Sequence, residues 1–393
     1  MISGPSRQVT VLLTAGEASG DQLGADLMAA LRQAAPSIEF RFVGVGGARM
    51  QAAGLNPIFD LSDLSVLGLW EGVKAYPRIV QRADAIGTLA KREQPDVAVL
   101  IDSWGFSLRV AHRLRRASPK TRILKYVGPQ VWASRPGRAK VLAGAVDRLL
   151  STQSMDAPFY QGVGLPVTFV GNPALARDLS GVDRVRARAR LGIPPDNPIL
   201  LVLPGSRRSE VARLAAPFGE AVARLKASRP DLVVIVPVAA TVDTFLTEAV
   251  GKWASPPVLV RNDEALKYDL MAAATVALAA SGTVTTELGL CGAPMVVAYK
   301  VGRLTYLVGK RLITTPWITL INIAAGSEVV PEILQDACTG EALAQRLARL
   351  LDDPIGRAQQ VEAQNAALDL MGRGTGDPSS RAAACVLDEL TAK

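Results

Sequence analysis

The chain has 393 residues, too many for one ordinary core and enough for two domains of roughly 150 to 200 residues each. With 49% hydrophobic and 20% charged residues it is a globular chain, and its apolar runs (Val97–Ile101, Ile199–Leu203, Leu232–Val238) fall far short of the ~18 residues a membrane span needs. The formal charge of +8 sits unevenly: residues 1–172 hold 20 Lys and Arg against 13 Asp and Glu, residues 173–393 hold 24 against 23, so the first half is expected to meet something anionic, be it a phosphorylated substrate, a membrane surface or a nucleic acid.

Val9–Leu13 is the first predicted strand. Only this short run precedes Gly16 and Glu17, so no secretory leader is expected and the compartment reads as cytoplasmic. The turn Thr14–Asp21 leads into a helix predicted to end near Ala35; it lacks the G-x-G-x-x-G spacing of a dinucleotide site. Phe40–Val45, Val97–Ile101, Ile123–Val127, Arg148–Ser151 and Val167–Val170 continue as short apolar strands, separated by helical stretches such as Ile79–Arg92 and Ser107–Arg116. Such alternation predicts a parallel sheet with helices on both faces.

Between the second and third of these strands, Leu64–Trp70 with Val73, Tyr76 and Ile79 forms an apolar segment without strand alternation. Val66, Leu67, Leu69, Trp70 and Val73 fit either a greasy surface that receives acyl chains or dips into a membrane interface beside Lys74, Arg78 and Arg82, or a buried core helix. Asp102 ends the run Val97–Ile101 and so stands at the carboxyl end of a strand, where a carboxylate can serve as a general base; it equally fits a cap for the helix near Ser107. Glu17 and Asp21, on the first turn, are its rivals. His112, the only histidine, reads as a helix-face residue. The stretch Tyr126–Ala133 joins a strand to a loop followed by Arg135, Arg138 and Lys140, a basic cluster able to hold an acceptor phosphate or simply to be solvated.

Gly171-Asn172-Pro173 closes the first unit, and the Arg-rich segment Asp178–Pro198 is the expected interdomain connection. The rhythm restarts with Ile199–Leu203, Leu232–Val236, Val258–Val260, Thr275–Ala279 and Met295–Tyr299. In doubled sheets of this kind ligands bind beyond the carboxyl ends of the strands, so a cleft between two facing domains is expected. Two turns lie at such ends. Gly205-Ser206-Arg207 sits between Ile199–Leu203 and a helix of apolar spacing over Val211–Lys226, offering free backbone N–H groups beside a guanidinium; an ordinary turn with a solvated arginine fits the same residues. Ser281-Gly282-Thr283 opens a helix with Thr286 and Glu287, where hydroxyls and N–H groups can hold phosphate and the carboxylate can accept from a sugar's vicinal hydroxyls. Two phosphate-type turns in one domain suggest a nucleotide diphosphate. The Gly372–Pro378 stretch then breaks the last helical region, and Ser379–Leu390 is a final helix expected to pack back on the first domain.

Cys291, Cys338 and Cys385 stand alone, matching neither a disulfide framework nor a metal cluster, and with one histidine no metal site is expected. No nucleic-acid recognition motif accompanies the pI of about 9.6 and aromatics are only 5%, so a nucleic-acid partner is not expected. A non-enzymatic membrane-surface protein would need no pair of phosphate-type turns.

Gly16–Asp21, Leu64–Gly68, Tyr126–Ala133, Leu203–Arg207, Ser281–Thr283 with Glu287, and Val329–Glu332 with Leu334 and Gln335 together resemble, in order, the motifs of lipid-A-disaccharide synthases. The resemblance implies an inverting glycosyltransferase of the GT-B fold: an α/β chain of two Rossmann-like doubly wound parallel-sheet domains. It implies residues 1–176 as the acceptor and membrane side, 177–360 as the UDP-sugar donor side, and 361–393 as helices packing back on the first domain. The implied reaction joins UDP-2,3-diacylglucosamine to 2,3-diacylglucosamine 1-phosphate, giving a β-1,6-linked disaccharide 1-phosphate and UDP, without cofactor or metal. It implies a peripheral place on the cytoplasmic face of the Gram-negative inner membrane; an oligomer is compatible with the sequence. On this resemblance Asp102 matches the family's essential aspartate, Arg207 its essential arginine, Ser281, Gly282, Thr283 and Glu287 the nucleotide-binding segment, and Asn322 the asparagine of an Asn-x-x-Ala-Gly loop. The chain departs from the family at Trp104-Gly105-Phe106-Ser107, where Pro-Asp-Phe-Asn is frequent, at Ile321, Gly171-Asn172 and Gly128-Pro129-Gln130. The rival within enzymes is another two-domain UDP-sugar enzyme, a UDP-N-acetylglucosamine transferase with a different acceptor or a 2-epimerase.

Overall fold

The computed structural model describes residues 7–61, 69–261, 263–302, 306, 309 and 311–391. It divides into two compact units, Met1–Pro173 with Thr375–Lys393, and Ala174–Gly374.

The first unit is built on seven strands: β1 (Arg7–Thr14), β2 (Ile38–Val45), β3 (Asn56–Pro57), β4 (Val97–Ile101), β5 (Arg122–Tyr126), β6 (Arg148–Ser151) and β7 (Val167–Phe169). All pair in parallel, in the order β3-β2-β1-β4-β5-β6-β7. The unbroken apolar character of β4, Val97–Ile101, follows from burial on both faces. Val9, Val11, Leu13, Val97, Val99 and Ile101 face one core, while Leu12, Ala98 and Leu100 face the other. The helices Leu69–Glu93 and Trp104–Ala117 cover the second face, contributing Ile86, Leu89, Val110 and Leu114.

The chain's last helix, Pro378–Thr391, closes the first face by packing Ala382, Ala383 and Val386 among Leu27, Met28 and Leu31 of the helix Ala18–Ala34. Its Glu389, 3% exposed, takes Arg122 at 2.6 Å and Arg148 at 2.7 Å, fastening the helix to β5 and β6.

The second unit holds β8 (Ile199–Leu203), β9 (Val233–Val238), β10 (Val258–Arg261), β11 (Val276–Ala280), β12 (Met295–Tyr299) and β13 (Glu332–Leu334), again parallel, in the order β10-β9-β8-β11-β12-β13. Leu200 and Val202 point into one core, Ile199, Leu201 and Leu203 into the other.

Two boundaries differ from the sequence expectation. The segment 178–198 is no linker: it forms the helix Arg184–Leu191, capped by Asp183, whose Ala187 is buried in the second unit's core and whose Arg186 pairs with buried Asp269. Residues 361–393 do not act together, because residue 361 falls inside the helix Pro354–Leu370, whose Ala367 and Leu368 belong to that same core. Only Pro378–Thr391 joins the first unit.

Candidate active site

In each sheet the strand order reverses once, between β1 and β4 in the first unit and between β8 and β11 in the second. At such a reversal the two outgoing connections diverge to opposite faces and leave room for a ligand beyond the strand ends.

In the first unit the turns after β1 and β4 meet there. A Cβ on Gly16 would stand 2.5 Å from Cβ of Ser103, so only glycine fits at this approach. β4 is buried throughout, and the chain leaves it through Asp102 and Ser103, both in the left-handed region at φ +49° and +42°. Each such residue without glycine's freedom costs roughly 1–2 kcal/mol. Three hydrogen bonds to the Asp102 backbone oppose this: its N–H donates to the Tyr126 carbonyl at 2.9 Å, and its carbonyl accepts from Ser107 Oγ at 2.6 Å and Lys125 Nζ at 2.5 Å. The half-buried Asp102 carboxylate itself takes no hydrogen bond or ion pair among the described residues.

Glu17 is exposed just before the helix Ala18–Ala34, at the same corner. Asp21 is not a rival base. Its carboxylate accepts from the backbone N–H groups of Gly47, Arg49 and Met50 at 2.7, 3.0 and 3.0 Å, capping the short helix Ala48–Ala52. Around this corner Arg109 lies over the ring of Tyr76 at 4.9 Å and Arg138 over the ring of Trp104 at 5.2 Å. Arg135 is exposed at φ +51°, and His112 is an exposed helix residue.

In the second unit, the register of β8 on β11 sets Leu203 beside Ala279, which brings the ends carrying Gly205-Ser206-Arg207 and Ser281-Gly282-Thr283 side by side. The two turns differ. At the first, Gly205 adopts φ +121°, and Glu210, in the opening turn of the helix Arg208–Ser228, folds back over it. The Glu210 carboxylate accepts from Ser206 N–H at 3.1 Å, Arg207 N–H at 3.3 Å and Arg207 Nη1 at 3.2 Å. The N–H groups expected to be free are therefore occupied, although the Arg207 side chain remains 78% exposed with most of its five donors unused.

The second turn is open. Gly282 precedes the helix Thr283–Leu290 with no side chain to cap its first N–H groups and open space around it. Ser281 Oγ reaches the Ile318 carbonyl at 3.4 Å, and Thr283 is exposed. Glu287, on the same helix face, is held by Lys267 Nζ and Tyr268 hydroxyl, both at 2.7 Å, which fixes its direction while leaving lone pairs for further donors.

The pattern of the lipid-A-disaccharide synthetase family matches residues 11–386. Lipid-A-disaccharide synthases of Rhodospirillum centenum and Ruegeria pomeroyi are 42% and 41% identical, each over 98% of this chain and 96% of theirs. That of Pseudomonas aeruginosa is 43% identical over 90% of this chain and 91% of its own. The chain belongs to the lipid-A-disaccharide synthase family.

The synthase is thus a glycosyltransferase of lipid A biosynthesis. Its fold is GT-B, shared with a putative UDP-N-acetylglucosamine 2-epimerase from Listeria monocytogenes (TM-score 0.65, 16% identity, 98% of this chain and 97% of that one). A glycotransferase of kitacinnamycin also shares it (TM-score 0.58, 15% identity, 99% and 100% covered). At such identities the likeness carries the fold alone, and the sequence relatives favour neither an epimerase nor a nucleic-acid-binding protein.

Two residues expected at the nucleotide are buried. Thr286 is 1% exposed, on the inward face of its helix. Asn322 is fully buried and its amide is saturated: Nδ2 donates to the Val330 carbonyl (2.8 Å) and Glu332 Oε1 (2.9 Å), and Oδ1 accepts from the N–H groups of Val329 (2.8 Å) and Val330 (2.9 Å). These bonds hold the loop that leads to β13. Glu332 completes that loop by also accepting from Ile318 N–H, Thr319 N–H and Thr319 Oγ1.

Of the apolar acceptor-side residues, Val66 and Leu67 lie outside the described residues, and Leu69, Trp70 and Val73 begin the helix Leu69–Glu93, whose Ile79 packs against the core. Sequence reasoning missed Lys125, Glu210, Lys267 and Tyr268. A charged residue in the middle of the apolar run Ile123–Val127 was a signal for the first, and the three-residue spacing from Arg207 for the second.

Proposed function

We propose that the synthase transfers the sugar of UDP-2,3-diacylglucosamine to the 6-hydroxyl of 2,3-diacylglucosamine 1-phosphate, with inversion, releasing UDP. The observation that carries this reading is the pairing of the turns Gly205–Arg207 and Ser281–Thr283 at the strand-order reversal of the second unit. The exposed Arg207 guanidinium and the uncapped N–H groups at Thr283 put positive potential where a diphosphate gains charge as it leaves. Glu287, held by Lys267 and Tyr268, accepts from the ribose hydroxyls.

In the first unit Asp102 takes the proton of the attacking hydroxyl. Its carboxylate is half-buried and unpaired among the described residues, which suits a base. As the O–H bond breaks, the hydroxyl oxygen bonds to the donor's anomeric carbon on the face opposite UDP, and the bond to the diphosphate oxygen releases its electron pair to UDP. Arg207 and the helix start supply the positive charge, so the reaction proceeds without an added metal or cofactor.

We place the synthase at the cytoplasmic face of the inner membrane as a peripheral protein. No helix among the described residues is long and apolar enough to cross a membrane, and the exposed Arg135, the half-buried Arg138 and the Arg109–Tyr76 pair offer a basic surface for anionic headgroups and the acceptor's phosphate. The test is direct. Purified synthase incubated with both substrates and EDTA should yield UDP and a tetra-acylated disaccharide 1-phosphate in equal amounts; UDP without the disaccharide, or turnover only after metal is restored, overturns the scheme.

A further inference from the structure

The most unusual buried group in the first unit is Lys125. It sits in the interior strand β5 among Ile123, Leu124 and Tyr126, and only 1% of it is exposed. Burying an ammonium costs several kcal/mol unless its protons are all placed. Here each of its three donors meets a backbone carbonyl: Leu100 at 3.1 Å, Asp102 at 2.5 Å and Tyr126 at 3.2 Å. Those carbonyls belong to the ends of β4 and β5. Around them lie three non-glycine residues in the left-handed region, Asp102 and Ser103 after β4 and Val127 (φ +66°) after β5. The strain is thus gathered where the strands turn their last carbonyls toward one lysine. Burial lowers the Lys125 ammonium to about pH 7, against the opposing influence of the nearby Asp102 charge, so the two groups sense one another.

Resting on the reading of Asp102 as the base, we infer that Lys125 is its positioning residue: the ammonium draws the Asp102 carbonyl inward, and the left-handed backbone this imposes turns the carboxylate out to the acceptor hydroxyl. Ser107 Oγ, on the same carbonyl at 2.6 Å, steadies the arrangement but carries no charge. A shift of about 1 Å in a reacting group is enough to slow a reaction about a hundredfold. Lys125 touches no substrate in this scheme and acts only through the group it holds.

The test is a double-mutant cycle between Lys125→Met and Asp102→Asn on the full chain, with kcat and KM measured for both sugars and UDP affinity measured separately. Lys125→Met should lower kcat about a hundredfold while both KM values and the UDP Kd stay within about threefold. In the Asp102→Asn background the same change should alter the residual rate by less than about threefold, because the base it positions is already gone. A folded Lys125→Met synthase with normal kcat overturns the inference, and so does a cycle in which the two losses multiply. If Asp102→Asn alone keeps its turnover, the assignment of the base fails instead, which is a distinct outcome. Should the methionine variant not fold, Lys125→Gln, which keeps two of the donors, is read by the same cycle: a kcat about tenfold below that of the unaltered chain is expected, and a normal kcat or losses that multiply overturn the inference.

Discussion

The two strand-order reversals have the same topology and opposite chemistry. In the first unit the chain leaves β4 through Asp102 and Ser103, which carry side chains in a conformation that favours glycine, held by a buried lysine. In the second unit the counterpart of β4 is β11, whose turn carries Gly282, while the turn after β8 gives its positive φ to Gly205, and among the described residues that unit holds no buried lysine. On the proposed mechanism the difference follows from the task of each corner. A base needs a side chain aimed in one direction, and strain is the cost of the aim. On the same reading an anion site needs a cation and open N–H groups, which Arg207 and the uncapped helix start at Thr283 offer, and glycine supplies the turn at Gly205 without strain.

The largest effect should come from removing the aimed group. Asp102→Asn keeps shape and loses the proton acceptor, so kcat should fall about a thousandfold, within the range general-base removal spans, with UDP affinity unchanged. Turnover near normal would erase the contrast between the corners and return Glu17 to consideration. Arg207→Ala should lower kcat about a hundredfold at saturating donor, corresponding to ~3 kcal/mol lost from a group that meets charge in the transition state. If only the donor's KM rises, the guanidinium serves binding and not departure of the diphosphate.

A third change sharpens the second corner. Asn322→Leu should destabilise the second unit by about 3 kcal/mol, because the N–H and carbonyl of buried Val330 and the N–H of half-buried Val329 would lose the partner they now have. Denaturant unfolding followed by Trp317 and Trp253 fluorescence reads this. An unchanged midpoint together with a lost nucleotide affinity would instead mean that the asparagine meets the ligand.

Much of this was legible in the chain itself. Eleven short apolar runs appear as strands of the two sheets, because strands buried on both faces must be apolar throughout and so announce themselves. β3 and β13 escaped as strands, since Asn56–Pro57 is two residues long and Glu332–Leu334 three with a charge at its head. The turns at Gly205 and Ser281 stood out through glycine beside hydroxyl and arginine, and Asp102 through its place at a strand's end. What hid was the company these residues keep. Glu210 capping the Gly205 turn follows a local spacing and was within reach, whereas Lys125 under Asp102 and Lys267 on Glu287 are contacts between elements 20 or more positions apart. The setting of Asn322 was hidden for a related reason: a motif names the residue that matters and not whether it faces solvent or the loop.

The smallest effect isolates the first corner's support from the second unit altogether. Burial alone would raise the Glu389 carboxyl, but the hydrogen bonds from Arg148 and Arg122 outweigh it and hold the group below the ordinary carboxylate range. A group whose folded pKa lies below its unfolded one binds fewer protons when folded, so its stabilisation is present in full above the unfolded value near pH 4.5 and is lost as pH falls through the folded one. Glu389→Gln removes that charge and should cost about 1.5 kcal/mol at neutral pH, the low end for charged hydrogen bonds because both arginines are a third or so exposed. The variant's acid unfolding should also lose part of its steepness below pH 4.5. Since β5 carries Lys125 and is one of the two strands Glu389 fastens, the first unit should loosen while UDP affinity, which the proposed mechanism assigns to the second, stays level. A matching loss of UDP affinity would mean that the two corners are not independently supported.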